Sequence, residues 1–342
     1  MEKDTLTNRR KADHIQINLN QDVQSGQTTG LEKYHFIHQA LPEMSLGDID
    51  LGQTIFKKNQ PVPFLISSMT GGTSQAERIN RILATAAQET GFAMGVGSQR
   101  AALEDPSLTS SFQVRKYAPD ILLFANLGAV QLNMGFGIEE CQRAVEMIDA
   151  DALILHLNPL QEALQPEGDT NFSGLAKKIE KVRQRLSVPL VVKEVGWGLS
   201  PTACKMLFDA GVDAVDVAGA GGTSWSQVEM YRIQDPYRRQ TASAFRDWGI
   251  PTAVAIQNAR LVSNTWLVFA SGGLKNGVDA AKCLSLGANM CGMAGILLKA
   301  ADDSLETTVN VMQMLIDQLH IAMFASGARQ LADLTPERLS TQ

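Results

Sequence analysis

The stretch HLNPLQEALQPEGDTNF, residues 156–172, follows the apolar run 152–155 and brings His156, Asn158, Gln161 and Glu162 to the end of a buried strand. These residue types suit acid–base and metal chemistry. A carboxylate such as Glu162 is a good oxygen ligand for Mg2+, and a histidine such as His156 can move a proton near neutral pH. The ordinary alternatives are a solvated loop carboxylate and a histidine that only holds the loop. Lys193 closes a second apolar run, where a cation is costly without a negative partner. It either pairs with Glu194 or another carboxylate, or it stands beside an electron-rich cofactor such as reduced flavin.

Eight β-rich runs position these residues, at 62–69, 91–97, 121–128, 152–158, 189–195, 214–219, 266–273 and 289–295, with helical periodicity between them. After the first run, Ala76, Ile79, Leu83, Ala86 and Ala87 make an apolar stripe, and Gly91 is a helix stop. Ser200, Pro201 and Gly211 mark the start and end of another helix. Apolar strands that alternate with helices must be covered on both faces, so the pattern predicts an α/β fold, a (β/α)8 TIM barrel. The active site of such a barrel lies at the carboxyl ends of its strands. Those ends read Ser68-Met69-Thr70-Gly71-Gly72, Gly97-Ser98-Gln99-Arg100, Asn126, His156 with Asn158, Lys193-Glu194, Gly219 to Thr223, Gly272-Gly273 and Ala294-Gly295. The glycine turns after the last three strands suit a phosphate, because glycine lets backbone N–H groups approach an anion.

Residues 1–60 are expected to form an N-terminal extension, 61–300 the barrel and 301–342 a C-terminal helical segment. The chain has 342 residues and a formal net charge of -6, a balance that argues against nucleic-acid or membrane-surface binding. No apolar segment approaches membrane-span length, and the N-terminal residues lack a secretory h-region. Cys141, Cys204, Cys283 and Cys291 are scattered and read as buried reduced thiols, so a cytoplasmic location is expected.

RKADHI (10–15), SSMTGG, GSQRAAL, ANLG, HLNPLQE with QPEGDTNF, KEVGWG, GAGGTSW and SGGLKNGVDAAKCLSLGA occur in this order along the chain. Together they resemble the type 2 isopentenyl-diphosphate isomerases, FMN-dependent enzymes that interconvert isopentenyl and dimethylallyl diphosphate. The resemblance spans residues 9 to about 300. It implies FMN contacts from Ser68, Met69, Thr70, Ser98, Asn126, Lys193 and Thr223, with Gly272, Gly273, Lys275, Ala294 and Gly295 at the phosphate end. It further implies that the substrate diphosphate meets Arg10, Lys11, His14, Ser98, Gln99, Arg100, Asn158 and Gln161, and that Glu162 ligates Mg2+. Catalytic roles fall to Gln161, His156 and Glu162, NADPH or NADH is the expected reductant, and a homo-oligomer, tetramer or octamer, is expected. The chain departs from the family at Ala218 and Ala220, where Ser or a basic residue is common, and at Lys275, where Arg is frequent. Weaker FMN retention is the expected consequence.

Protonation of the alkene and loss of a C2 proton place positive charge on a tertiary carbon, which an anionic reduced flavin would stabilise. Arg9, Arg10 and Lys11 are expected to be mobile until a diphosphate orders them as a lid. Trp225 is expected near the isoprenoid methyl group, within a long connection at 220–265. The rival reading is an FMN-dependent oxidoreductase of the α-hydroxy-acid oxidase type. That chemistry needs a histidine base on the late strands, whereas His320 falls in a terminal helical pattern.

Overall fold

The computed structural model describes residues 6–341, with side chains from residue 10 onward; the side chain of Arg9 lies outside that description. The chain begins with helix α1 (Leu6–Asn20), strand β1 (Tyr34–Phe36) and a hairpin of β2 (Gln53–Ile55) and β3 (Lys58–Gln60). Eight parallel strands follow: β4 (Phe64–Ile66), β5 (Ala93–Gly95), β6 (Leu123–Gly128), β7 (Ala152–Leu157), β8 (Leu190–Glu194), β9 (Ala214–Asp216), β10 (Leu267–Ser271) and β11 (Met290–Met293). They close on themselves through Cys291↔Phe64 and Met293↔Ile66, as the α/β TIM-barrel expectation requires. Each strand lies within its expected run but is shorter, and at every strand except β6 the last residues of the run leave the ladder for the mouth.

The surrounding helices are α2 (Ser74–Thr90), α3 (Arg100–Glu104), α4 (Ile138–Ile148), α5 (Pro159–Leu164), α6 (Leu175–Arg185), α7 (Pro201–Asp209) and α8 (Trp225–Arg232). They continue with α9 (Pro236–Ser243), α10 (Thr252–Val262), α11 (Gly277–Ser285), α12 (Gly295–Asp303) and α13 (Leu305–Ser326). Local chemistry sets their ends. Thr73 caps α2 by accepting from the Ala76 N–H, and Gly91 stops it at φ 78. Ser200 caps α7 in the same way, ahead of Pro201. The long connection at 220–265 is mostly helical, carrying α8, α9 and α10. Helix α13 buries Met312, Leu315, Leu319 and Met323 against the barrel helices, and β12 (Leu339–Thr341) returns to pair with β1.

Alternation along the strands divides the barrel interior into layers. Leu65, Ala93, Phe124, Ile154, Val191, Ala214, Phe269 and Met290 form an apolar middle layer. The β2–β3 hairpin seals it from below, inserting Ile55 and bringing the Phe56 ring to 6.3 Å from both Phe124 and Phe269. Two residues further along each strand, the same inward face carries Ser67, Gly95, Asn126, His156, Lys193, Asp216, Ser271 and Gly292. The barrel therefore changes from hydrocarbon to polar groups within one layer, at its carboxyl end.

Candidate functional site

The polar layer is partly satisfied from within. His156 Nδ1 and Asn126 Oδ1 are 2.9 Å apart, and an amide oxygen only accepts, so the ring carries its proton on Nδ1 and offers Nε2 as an acceptor. Burial, helped by the nearby positive charges of Lys193 and Arg10, pushes His156 down to about 4, so it is neutral at pH 7. Lys193 Nζ donates to the Glu194 carbonyl at 2.7 Å and stands 3.8 Å from Asp216 Oδ2. Successive strand residues face opposite ways, so Glu194 turns outward and accepts from the Val195, Gly196 and Trp197 N–H groups. The carboxylate facing Lys193 is thus Asp216, which the sequence did not single out. Ser67 Oγ, Ser68 Oγ and Asp216 Oδ2 are buried without a hydrogen-bond partner, which is unusual in a folded interior unless a ligand completes the set.

One side of the mouth is shaped by glycine. Gly272 has φ 105, and a Cβ there would fall 2.0 Å from the Gly219 oxygen, so the turns after β9 and β10 nest together only as glycine. Beside them, α12 begins at Gly295 without a side-chain cap, and a Cβ on Gly295 would meet nothing within 4 Å. Uncapped N–H groups facing open space suit an anion. Together with the unpartnered oxygens of the layer, this arrangement fits a planar cofactor with a phosphate tail, and therefore FMN.

The opposite side is built around a buried carboxylate, Glu229 on α8. It is fully enclosed and accepts from His14 at 3.0 Å, Gln161 at 2.9 Å and Gln165 at 2.7 Å, with Arg232 donating to its other oxygen. Burial alone would raise Glu229, but the His14 hydrogen bond, the neighbouring positive charge and the Gln161 amide hold it down at about 2. His14 is itself pushed below its ordinary value, chiefly by burial, so Arg232 is the permanent cation of the group. Arg10 joins the network by donating to Gln165 Oε1 at 3.0 Å. Glu162, one residue after Gln161, accepts from Asn158 Nδ2 at 2.8 Å and from the Asp169 N–H at 2.7 Å. Asn158 Oδ1 is buried there without a partner. A carboxylate beside a free amide oxygen fits a Mg2+ ion shared with a phosphate-bearing substrate. No cluster of three or more His, Cys, Asp or Glu residues able to hold a metal by protein groups alone occurs among the described residues.

The model of the FMN-dependent dehydrogenase family matches residues 156–341, just over half of the chain. The isopentenyl-diphosphate delta-isomerase of Synechocystis sp. is 51% identical over 329 residues, covering 96% of this chain and 94% of that protein. Its counterpart in Rickettsia rickettsii is 51% identical over 325 residues, covering 95% of each. The chain belongs to the FMN-dependent, type 2 isopentenyl-diphosphate delta-isomerase family. A mandelate oxidase structure with (S)-2-phenylpropionate matches with a TM-score of 0.66 at 17% identity, covering 98% of this chain and 96% of that one. A flavocytochrome b2 mutant with pyruvate bound gives a TM-score of 0.71 at 15% identity, covering 96% and 82%. These likenesses show the barrel fold alone.

In this isomerase-family chain the N-terminal basic run lies at the start of α1, and Lys11 is packed rather than solvated. Lys11 Nζ donates to the Ser98 carbonyl and lies 5.0 Å from the Phe112 ring centroid. Burial, aided by Arg10, pushes Lys11 down to about 7. Gln99 also departs from expectation. Its amide is fully buried in the barrel wall, donating to the Ala144 carbonyl and accepting from the Asn126 N–H, so it offers nothing to a substrate. Ser98 and Arg100 flank it at the mouth, Arg100 bonded to Glu104 and Asp169. Ser68, Met69 and Thr70 form the loop after β4, with the Thr70 carbonyl accepting from the Gly97 N–H. Thr223 Oγ1 reaches Asn18 at 3.5 Å, Trp225 meets the His14 ring edge-on at 5.1 Å, and Lys275 is exposed beside the glycine turn. Ala218 holds a positive φ of 37, a strained conformation for a side chain with a Cβ. Glu229, Gln165 and Asp216 were missed as site residues. Gln165 lies within the polar stretch 156–172 and Asp216 is a charge inside the apolar run 214–219, whereas Glu229 carries no local signal.

Proposed function

We propose that the chain performs its family's reaction, interconverting isopentenyl and dimethylallyl diphosphate, with reduced FMN on the polar layer and Mg2+ at Glu162. Reduced FMN supplies negative charge and a transferable proton against the alkene, with no net oxidation of substrate. Arg10, Lys11 and Arg100 bind the diphosphate through charge-assisted hydrogen bonds, and Glu162 with Asn158 presents oxygens to the metal between them. Gln161, tethered to Glu229, orients the diphosphate or a bound water without adding charge. His14 steadies the same carboxylate and gives Trp225 an edge to pack on as an apolar wall for the five-carbon tail. His156, neutral and with Nε2 as an acceptor, is suited to receive a proton. Lys193, inward-facing in the polar layer, supplies a cation that would favour the reduced over the oxidised ring.

The observation that carries this reading is the pairing of an under-satisfied polar layer with a basic rim that holds one metal-competent carboxylate. An α-hydroxy-acid oxidase role lacks support, since the end of β9 offers Ala218, Gly219 and Ala220 in place of a histidine base. NADPH as reductant, a homo-oligomer and a reducing cytoplasmic setting complete the proposal. Exposed Met314 and Ile321 on α13 and four free buried cysteines support the last two. No helix among the described residues is long and apolar enough to cross a membrane. Assaying dimethylallyl diphosphate formation with FMN, NADPH and Mg2+, and omitting each in turn, tests the reading. Every omission should abolish turnover, and activity independent of Mg2+ would remove Glu162 from its role.

A further inference from the structure

Within the polar layer, Asp216 has no role in binding substrate or metal, yet its surroundings are specific. It is 1% exposed and opposite Lys193 in the β8–β9 register. Ser271 Oγ donates to its Oδ1 at 2.6 Å, and the N–H of Ala218 reaches the same oxygen at 3.2 Å. The other oxygen, Oδ2, faces Lys193 Nζ across 3.8 Å, too far for a hydrogen bond, and has no hydrogen-bond partner. Buried carboxylates normally saturate their oxygens. Here Ser271 and the strained Ala218 turn hold one oxygen so that the other cannot rotate onto the lysine. An ammonium has three donors, and Nζ gives one to the Glu194 carbonyl, so two remain for the mouth. The arrangement sets a carboxylate beside the lysine without consuming its hydrogen bonds.

We propose that Asp216, locked by Ser271, is a positioning residue that acts through Lys193: its charge, held off the ammonium, sets how strongly the site prefers reduced to oxidised FMN. The inference rests on the placement of FMN described above. Two substitutions should act in opposite directions. Asp216→Asn keeps an acceptor for Ser271 and Ala218 but removes a negative charge beside the ring, so the anionic reduced form gains. Ser271→Ala frees the carboxylate to turn onto Nζ, which draws the cation's charge away from the ring, so the reduced form loses.

The test is the dissociation constant of the full-length chain for oxidised FMN and for dithionite-reduced FMN at pH 6, measured anaerobically, with Lys193→Gln as a control. Asp216→Asn should raise the preference for reduced FMN about ten-fold, equivalent to about 30 mV for a two-electron couple. Ser271→Ala should lower the preference several-fold, and it carries the test alone if Asp216→Asn does not fold. Equal weakening of both oxidation states in both variants would mark a merely structural role and overturn the proposal. If Lys193→Gln lowers the preference while the other two leave it unchanged, the proposal alone falls. If Lys193→Gln also leaves it unchanged, the flavin does not lie against this layer and the reading beneath it falls as well.

Discussion

Replacing Glu229 with Gln perturbs the site at the point where most of its contacts meet. Three donors converge on one carboxylate oxygen and Arg232 on the other. A glutamine must turn its NH2 towards one set or the other, leaving donors face to face. The electrostatic part can be sized from the depressed pKa of the carboxyl. Glu229 is held at about 2 against an ordinary 4.5, and at about 1.4 kcal/mol per pH unit that gap is worth about 3 kcal/mol. Breaking a buried ion pair by removing one partner costs a similar ~3–5 kcal/mol. The variant holoenzyme, at fixed FMN, should therefore lose about 3 kcal/mol at pH 7, lowering Tm by about 4 °C. Because the folded carboxyl titrates below the unfolded one, the wild-type advantage is fully present above pH 4.5 and fades as pH falls towards 2. Parallel urea unfolding at pH 7 and pH 4 measures this. A variant within about 0.5 kcal/mol of wild type at pH 7, the scatter of ordinary surface changes, would refute the view of Glu229 as the anchor of Gln161, Gln165 and His14.

Three further outcomes are expected. Lys11 titrates at about 7, and a diphosphate binds its charged form. KM should thus rise up to about ten-fold per pH unit above pH 7, and Lys11→Arg, which stays charged, should flatten that rise in a KM profile from pH 6 to 9. Arg10→Ala should raise KM for isopentenyl diphosphate at least ten-fold and leave FMN affinity within two-fold, because Arg10 bonds to Gln165 on the Glu229 side; titration of both ligands separates the effects. Glu162→Gln should shift the half-saturating Mg2+ concentration upward by ten-fold or more without changing FMN binding, read from Mg2+ titrations of initial rate.

The barrel was legible because each strand is an apolar run with a Gly, Ser, Asn or charged residue at its end, and strand alternation converts those ends into one inward layer. Lys193, Asn126 and His156 could be placed in this way. Glu229 could not, because in the segment WSQVEMYR nothing local distinguishes it from a solvated helix residue. Its importance comes from contacts with His14, 215 positions away, and with Gln161, 68 away. At the N-terminus, charge alone could not place Lys11, whose partners Ser98 and Phe112 are brought beside it only by the fold. Gln99 misled through its neighbours. A polar residue between Ser98 and Arg100 looks like part of a binding motif, but its side chain points into the wall and pins the backbone of Asn126.

The central claim is that a reduced flavin on the polar layer shifts the double bond without being consumed. The most direct measurement follows flavin absorbance and product together, under anaerobic conditions, in protein loaded with FMN and reduced once before isopentenyl diphosphate and Mg2+ are added. The account predicts many turnovers per flavin while the spectrum stays that of the reduced cofactor, and none when the same preparation is left oxidised. Equal turnover with oxidised FMN, or product limited to one equivalent per flavin, would contradict it.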